Sequence, residues 1–222
     1  MMFADRDEAG ARLAQLVSAR RPNWKDPIVL GLPRGGAPVA EYVADALHAE
    51  LDIVIARKIG APGNPEVAIG AIGPSGERVM DDRLQHVLGV GAPYIDGEIE
   101  KEMAEIRRRE AKYRGMRPKP RFDGRDVVLV DDGIATGYTV MAAARHIRRH
   151  EPRSLMIATP VCPADRIPDL RAEADEVACI SFPTDFMAVG QFYRVFGQVS
   201  DSEVLTVLNR AWARQRTRES DM

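Results

Sequence analysis

Two cysteines, Cys162 and Cys179, are all that this chain of 222 residues carries, and they form no CxxC pair. So sparse a set excludes a disulfide framework and a cysteine-rich zinc site, and the default expectation is a reducing cytoplasm. Metal-ligand spacing is also missing among the four histidines, His48, His86, His146 and His150. His146 and His150 are i,i+4 neighbours, but with Arg145, Arg148 and Arg149 around them they predict a solvated helix end. No apolar run approaches the ~18 residues of a membrane span. The opening MMFADRDEAGARLAQLV carries acids early and has no apolar h-region, so no signal peptide is expected. Nor is there an excess of charge: 31 Lys and Arg against 33 Asp and Glu leave a formal −2, which argues against general nucleic-acid binding. GxxxxGK[ST], GxSxG and HExxH are all absent, removing the P-loop, serine hydrolase and zinc protease readings.

What is present suits one globular domain, 45% hydrophobic and long enough to bury a substantial core. That core is expected over about residues 26–182, with accessory segments at about 1–20 and 183–213. Asp5 and Glu8 have capping-box spacing before Ala9, Leu13, Leu16 and Val17, which predicts a short opening helix. IVLGL (28–32) is a strand ending in PRGG, and Pro38, Val39, Val43 and Leu47 mark the helix after it. LDIVIA (51–56) predicts a strand ending at Arg57-Lys58, and IGAPGNPE (59–66) a loop. Residues 67–73 and 77–80 form a hairpin across Pro74-Ser75-Gly76.

A charged helix follows from about Tyr94 to Arg114, its apolar stripe Ile99, Met103, Ile106 and Tyr113. After the connector RPKPRFDG come strands at 127–130, 155–160 and 177–182, with helices at 138–149 and 164–174 between them. Ser200 and Glu203 cap a final helix carrying Val204, Leu208 and Trp212, and the tail RQRTRESDM is expected to fray. Strands alternate with helices, and the strands are apolar without period two. The expected fold is α/β, a doubly wound, mainly parallel sheet with helices on both faces, plus a small hood and an inserted helix.

The stretch that carries chemistry is VVLVDDGIATGYT, residues 127 to 139. A strand buried on both faces delivers Asp131 and Asp132 to its carboxyl end, where open α/β sheets place ligands. Gly133, Ile134, Ala135, Thr136, Gly137, Tyr138 and Thr139 then lead into a helix, whose N-terminal N–H groups favour an anion. Two carboxylates repel a bare phosphate but accept hydrogen bonds from a vicinal diol. A ligand with hydroxyls at one end and phosphate at the other, such as a ribose phosphate, satisfies both.

This stretch resembles the phosphoribosyl pyrophosphate (PRPP) signature of the type I phosphoribosyltransferases. The resemblance implies that Asp131 and Asp132 hold the ribose hydroxyls, that residues 133–139 cradle the 5-phosphate, and that Asp131 contacts Mg²⁺. LPRGGAP (32–38) is similar to the family's pyrophosphate turn, with Arg34, Gly35 and Gly36 as its contacts and a cis or strained Pro33–Arg34 peptide. Arg57 and Lys58 would reach the same pyrophosphate, and residues 59–78 would be the closing loop. Arg34, Lys58, Asp131 and Asp132 are then the candidate catalytic residues.

The implied reaction is Mg²⁺-dependent transfer of the phosphoribosyl group to a nucleobase or similar nitrogen heterocycle in nucleotide salvage, by a homo-oligomer, most simply a homodimer. Many 6-oxopurine enzymes of the family carry an acid where this chain has Ala135, so a hypoxanthine or guanine acceptor is in doubt. Phe182, Phe186 and Tyr193, in the aromatic segment SFPTDFMAVGQFYRVFGQVSD, are the candidate base-stacking residues. The alternative is a PRPP-binding regulator with little or no transferase activity.

Overall fold

A computed structural model describes residues 1–20 and 23–220 of the chain. Five strands, β1 (Ile28–Gly31), β2 (Glu50–Ile53), β6 (Asp126–Val130), β7 (Ser154–Val161) and β8 (Glu176–Ser181), form one sheet in the order β2-β1-β6-β7-β8. Every pairing in it is parallel. Each strand alternates between two apolar layers, which is why the runs read as apolar throughout. Ile28, Leu30, Val127, Leu129, Leu155 and Ile157 pack under α5 (Tyr138–Arg148) and α6 (Ile167–Glu173). On the other face Val29, Val128, Val130, Met156 and Ala178 meet α1 (Arg6–Arg20) and α2 (Gly36–Leu47) through Leu13, Val17, Val39 and Val43. The doubly wound sheet is therefore the expected one. Leu129 is 1% exposed, and its truncation to Ala would cost about 2–5 kcal/mol.

A second, antiparallel sheet stands apart: β3 (Arg57–Ala61), β4 (Asn64–Ile72) and β5 (Arg78–Met80). The expected hairpin is the β4–β5 pair. The expected loop at 59–66 is instead largely strand, because β3 folds back on β4 through a turn at Pro62 and Gly63. Gly63 has φ 74°, so the loop signal marks this turn and nothing more. The strand at 51–56 accordingly ends at Ile53, and Arg57-Lys58 opens β3 instead of closing β2.

The inserted helix α4 (Ala92–Arg114) follows a short helix, α3 (Asp82–Leu88), that the sequence pattern does not announce. Asp81 caps α3 by accepting from Leu84 N at 2.8 Å. Ile99, Ile106 and Tyr113 of α4 join β3 and β4 in a third apolar cluster with the last helix, α7 (Asp201–Ser220). Helix α7 extends well into the tail expected to fray, because Arg210 and Arg214 pair with Glu41 of α2 at 2.6 and 2.9 Å. Asp221 and Met222 lie outside the described residues.

Of the histidine pair only His150 lies at an exposed helix end as expected. The turn between β4 and β5 folds over α5, so His146 is buried, its Nδ1 3.3 Å from Glu77 and 3.2 Å from the Ser75 hydroxyl. Burial pushes the His146 pKa down. No helix among the described residues is long and apolar enough to cross a membrane.

Candidate functional site

The strand order reverses between β1 and β6, and open parallel sheets form their ligand crevice at such a point. Two turns meet there. The turn after β1 is tied to the end of β6 by Leu32 N donating to Val130 O at 2.8 Å, and its Pro33–Arg34 peptide bond is cis. A Cβ on Gly36 would lie 2.6 Å from Val130 O and 3.0 Å from Asp131 Cα, so only glycine lets this turn lie on the other. Asp131 and Asp132 thus sit directly beneath PRGG.

Residues 131–137 wrap a cavity of about 270 Å³, lined by Lys58, Glu66, Ala68, Asp131, Gly133, Ile134, Ala135, Thr136, Gly137 and Thr139. Gly137, at φ 81°, turns the chain into α5, and no side chain caps that helix. The first turn of α5 thus has no side-chain cap for its free N–H groups, and Thr136, Gly137 and Thr139 at that end line the cavity. Asp131 is partly buried. Burial, reinforced by the neighbouring Asp132 charge, raises its pKa well above the ordinary carboxylate range. Tyr138 turns its hydroxyl away from the cavity, onto Asp81 at 2.6 Å, fastening α5 to the end of the small sheet. Burial and that hydrogen bond push the phenol up to about 12.

Each candidate cation has a carboxylate partner. Arg57 Nε donates to Glu102 of α4 at 2.6 Å, Lys58 Nζ lies 3.3 Å from Glu66, and Arg34 stands 3.8 Å from Asp201. Only Lys58 of the three lines the cavity. Among the described residues no group of His, Cys, Asp or Glu could hold a metal by itself. Asp131 is a hard oxygen donor at a cavity wall, which suits an Mg²⁺ ion held by one or two carboxylates and the phosphates of its substrate.

Asp132 is not among the residues lining the cavity. Its Oδ2 accepts from Arg6 Nε at 2.7 Å, and a Cβ on Gly35 would collide with its carboxylate. Arg6 also donates to Gly197 O at 2.8 Å and lies over the Phe196 ring, 4.0 Å from its centroid. Phe196 stacks on Tyr193, whose hydroxyl donates to Asp132 O at 2.6 Å. Sequence reasoning missed Arg6 because no motif contains it; it lies 126 positions before Asp132.

Outside the loop lies a groove of about 560 Å³, lined in part by Ala135, Thr136, Arg166, Phe186 and Met187. Of the three candidate stacking residues, Phe186 alone lines it. Tyr193 is 5% exposed and enclosed by Phe3 and Phe196, while Phe182 is exposed outside the groove. Glu66 borders both cavities.

A parallel sheet with an acid pair and an uncapped helix start at its switch point fits a phosphoribosyl transferase domain. The sequence matches that family over residues 5–196, and the chain belongs to it. It is 43% identical over 210 residues to the Mycobacterium tuberculosis H37Rv protein named "Putative phosphoribosyl transferase Rv0571c", and equally to its counterpart in strain CDC 1551. Those matches cover 95% of this chain and 47% of the relatives, so the chain spans about half their length. The crystal structure of TT1426 from Thermus thermophilus superposes with a TM-score of 0.77 at 43% identity, covering 95% of this chain and 99% of the other.

Proposed function

We propose that the protein transfers the phosphoribosyl group of PRPP to a ring nitrogen of a nucleobase or similar heterocycle, releasing pyrophosphate, in the cytoplasm. The observation behind this is the uncapped N-terminus of α5, which shares one cavity with Asp131 and Lys58. Anion donors, a diol acceptor and a cation are thereby arranged within one ligand's reach.

In this reading the 5-phosphate lies on the N–H groups of residues 133–139 with Thr136 and Thr139. Asp131 accepts from a ribose hydroxyl. The bond from C1 to the pyrophosphate oxygen breaks with its electron pair leaving on pyrophosphate, and the acceptor nitrogen bonds to C1 and loses a proton. Lys58 and Arg34 meet the growing negative charge, which is electrostatic stabilisation more than acid–base catalysis. Mg²⁺, when bound with the substrate, would supply further charge neutralisation from the Asp131 side. The groove beside Ala135 and Phe186 is the acceptor's place. Because position 135 is alanine, the loop itself offers no carboxylate to the incoming base.

Pyrophosphate release from PRPP and Mg²⁺ across a panel of purine, pyrimidine and pyridine bases tests the proposal. Base-dependent release is expected with at least one of them. PRPP binding with no release for any base would favour a regulator, and no PRPP binding would end the reading.

A further inference from the structure

We infer that Asp81 is the specificity-determining residue of the acceptor groove, selecting a heterocycle that carries an exocyclic amino group over its oxo counterpart. The inference rests on the phosphoribosyl-transfer reading above and concerns only its second substrate.

Among the described residues three carboxylates line the groove, those of Glu66, Asp81 and Asp165. The Glu66 side chain is 89% exposed and pairs with Lys58; that of Asp165 is 66% exposed and pairs with Arg166 at 2.8 Å. Solvent competes for both, so neither discriminates strongly between ligands. Asp81 is held differently. Its Oδ1 accepts from Leu84 N at 2.8 Å and its Oδ2 from the Tyr138 hydroxyl at 2.6 Å, while its own N–H donates to Ile69 O at 2.9 Å. Helices α3 and α5 and strand β4 thus fix this carboxylate before any ligand arrives.

Tyr138 continues the loop that contains Ala135 and lines the same groove. Its hydroxyl therefore brings Asp81 to the side where the loop itself offers no carboxylate. An ionised carboxylate has about four acceptor positions and no donor, so two hydrogen bonds leave Asp81 free to accept more. The Tyr138 hydrogen bond, helped by that of Leu84 N, lowers its pKa, and the group stays ionised at neutral pH.

Donors are scarce around it. Leu84, Ala68, Ala135 and Phe186 are apolar groove residues, and Pro163 has no N–H. Arg166 is the one cation among the described residues of the groove, and it is committed to Asp165 and Asp169. An amino group set against Asp81 gains a charge-assisted hydrogen bond. An oxo group in its place sets a carbonyl oxygen against a carboxylate with no proton between them, which is a repulsive element against that ligand.

Steady-state pyrophosphate release from PRPP and Mg²⁺ tests this with two matched pairs, adenine against hypoxanthine and cytosine against uracil. In the wild-type protein kcat/KM should favour the amino member of at least one pair by about tenfold or more. Asp81→Asn keeps an oxygen for Leu84 N and replaces Oδ2 by an NH₂, which donates one hydrogen to the Tyr138 oxygen and turns the other to the groove. It should lower kcat/KM for the amino member by about tenfold or more and leave the oxo member unchanged or raised. Calorimetric PRPP affinity should stay within about twofold, because Asp81 lies outside the PRPP cavity. Asp81→Ser keeps a helix-capping oxygen without the charge, and should lose the preference without reversing it.

An Asp81 that only caps α3 and anchors Tyr138 would lower both members of a pair alike in the two variants, and that result would overturn the inference. So would a wild-type preference for the oxo members, no preference, or release with none of the four bases. If Asp81→Asn melts too low to assay, Asp81→Ser decides by the same ratio. Wild-type protein that binds no PRPP, or releases no pyrophosphate with any base of the wider panel, would instead overturn the functional reading beneath and this inference with it.

Discussion

Lys58 Nζ lies 3.3 Å from Glu66 Oε2 across the β3–β4 hairpin, and both residues line the cavity beside residues 133–137. The pair is exposed on the Glu66 side, so it contributes at most about 1 kcal/mol and can exchange partners when pyrophosphate arrives. Glu66→Gln is expected to tighten PRPP binding by about two- to fivefold at low salt, a gain that shrinks as salt rises. Calorimetry at two ionic strengths checks it; weaker binding in Glu66→Gln would mean that the carboxylate has a task of its own.

Lys58→Ala is expected to lower turnover more than PRPP affinity, since the cation gains most as charge builds on the leaving group. If the hairpin closes on the ligand, amide exchange over residues 59–66 should slow when PRPP and Mg²⁺ are added. Equal exchange in both states would make the hairpin a fixed wall.

Asp131→Asn is expected to weaken PRPP by about tenfold or more while leaving the melting temperature unchanged or raised. Burial already disfavours the Asp131 charge, and an amide oxygen can still accept from Asp132 N as the carboxylate does at 2.9 Å. Normal PRPP binding in this variant would remove Asp131 from the site.

Gly36→Ala places a methyl group against Val130 O and Asp131, parts of the rigid core edge. The expected outcome is a stability loss of about 1–3 kcal/mol together with weakened pyrophosphate binding. Denaturant melts and calorimetry report the two separately, and a wild-type melt would show that the two turns can part cheaply.

Asp201 gives the acid dependence. Lys112 and Tyr113 bind its carboxylate and hold its pKa at about 2. The unfolded value is about 3.9, so the folded state favours the charged form, and that stabilisation is complete above about pH 4 and lost as pH falls towards 2. Asp201→Asn should therefore melt below wild type at neutral pH, with the gap closing between about pH 4 and 2. A gap independent of pH would assign the effect to packing.

The main sheet was legible because its strands are apolar on both faces, and the position of Asp131 and Asp132 at a strand end was legible because loop and helix follow them directly in sequence. The small sheet was not. Pro62 and Gly63 are genuine turn signals, but β3 acquires its strand character only from pairing with Ala68, Gly70, Ala71 and Ile72 beyond the turn. Helix α3 presents no fully buried residue and so no apolar stripe to read. For Tyr193, an aromatic residue in the right segment gives no sign of direction; its ring is covered by Phe3, which only the folded chain brings near. Arg6 and Glu102 are charged residues among many others, set apart only by the partners that tertiary structure gives them.

Phe3 N donates to Phe192 O at 2.7 Å, and Arg194 N and Val195 N donate back to Phe3 O and Ala4 O. During synthesis, residues 3 and 4 thus wait for residues near 190 before they can take their place. Until then Arg6 has no Gly197 or Phe196 to lie on, and Asp201 has not arrived beside Arg34. A nascent chain released with the five strands complete but this late segment missing would keep most of its core. It would keep the Leu32–Val130 tie between the two turns. It would lack the Gly197 and Phe196 contacts of Arg6 and the Tyr193 hydrogen bond to Asp132, so the flank of the site around Asp132 is completed last.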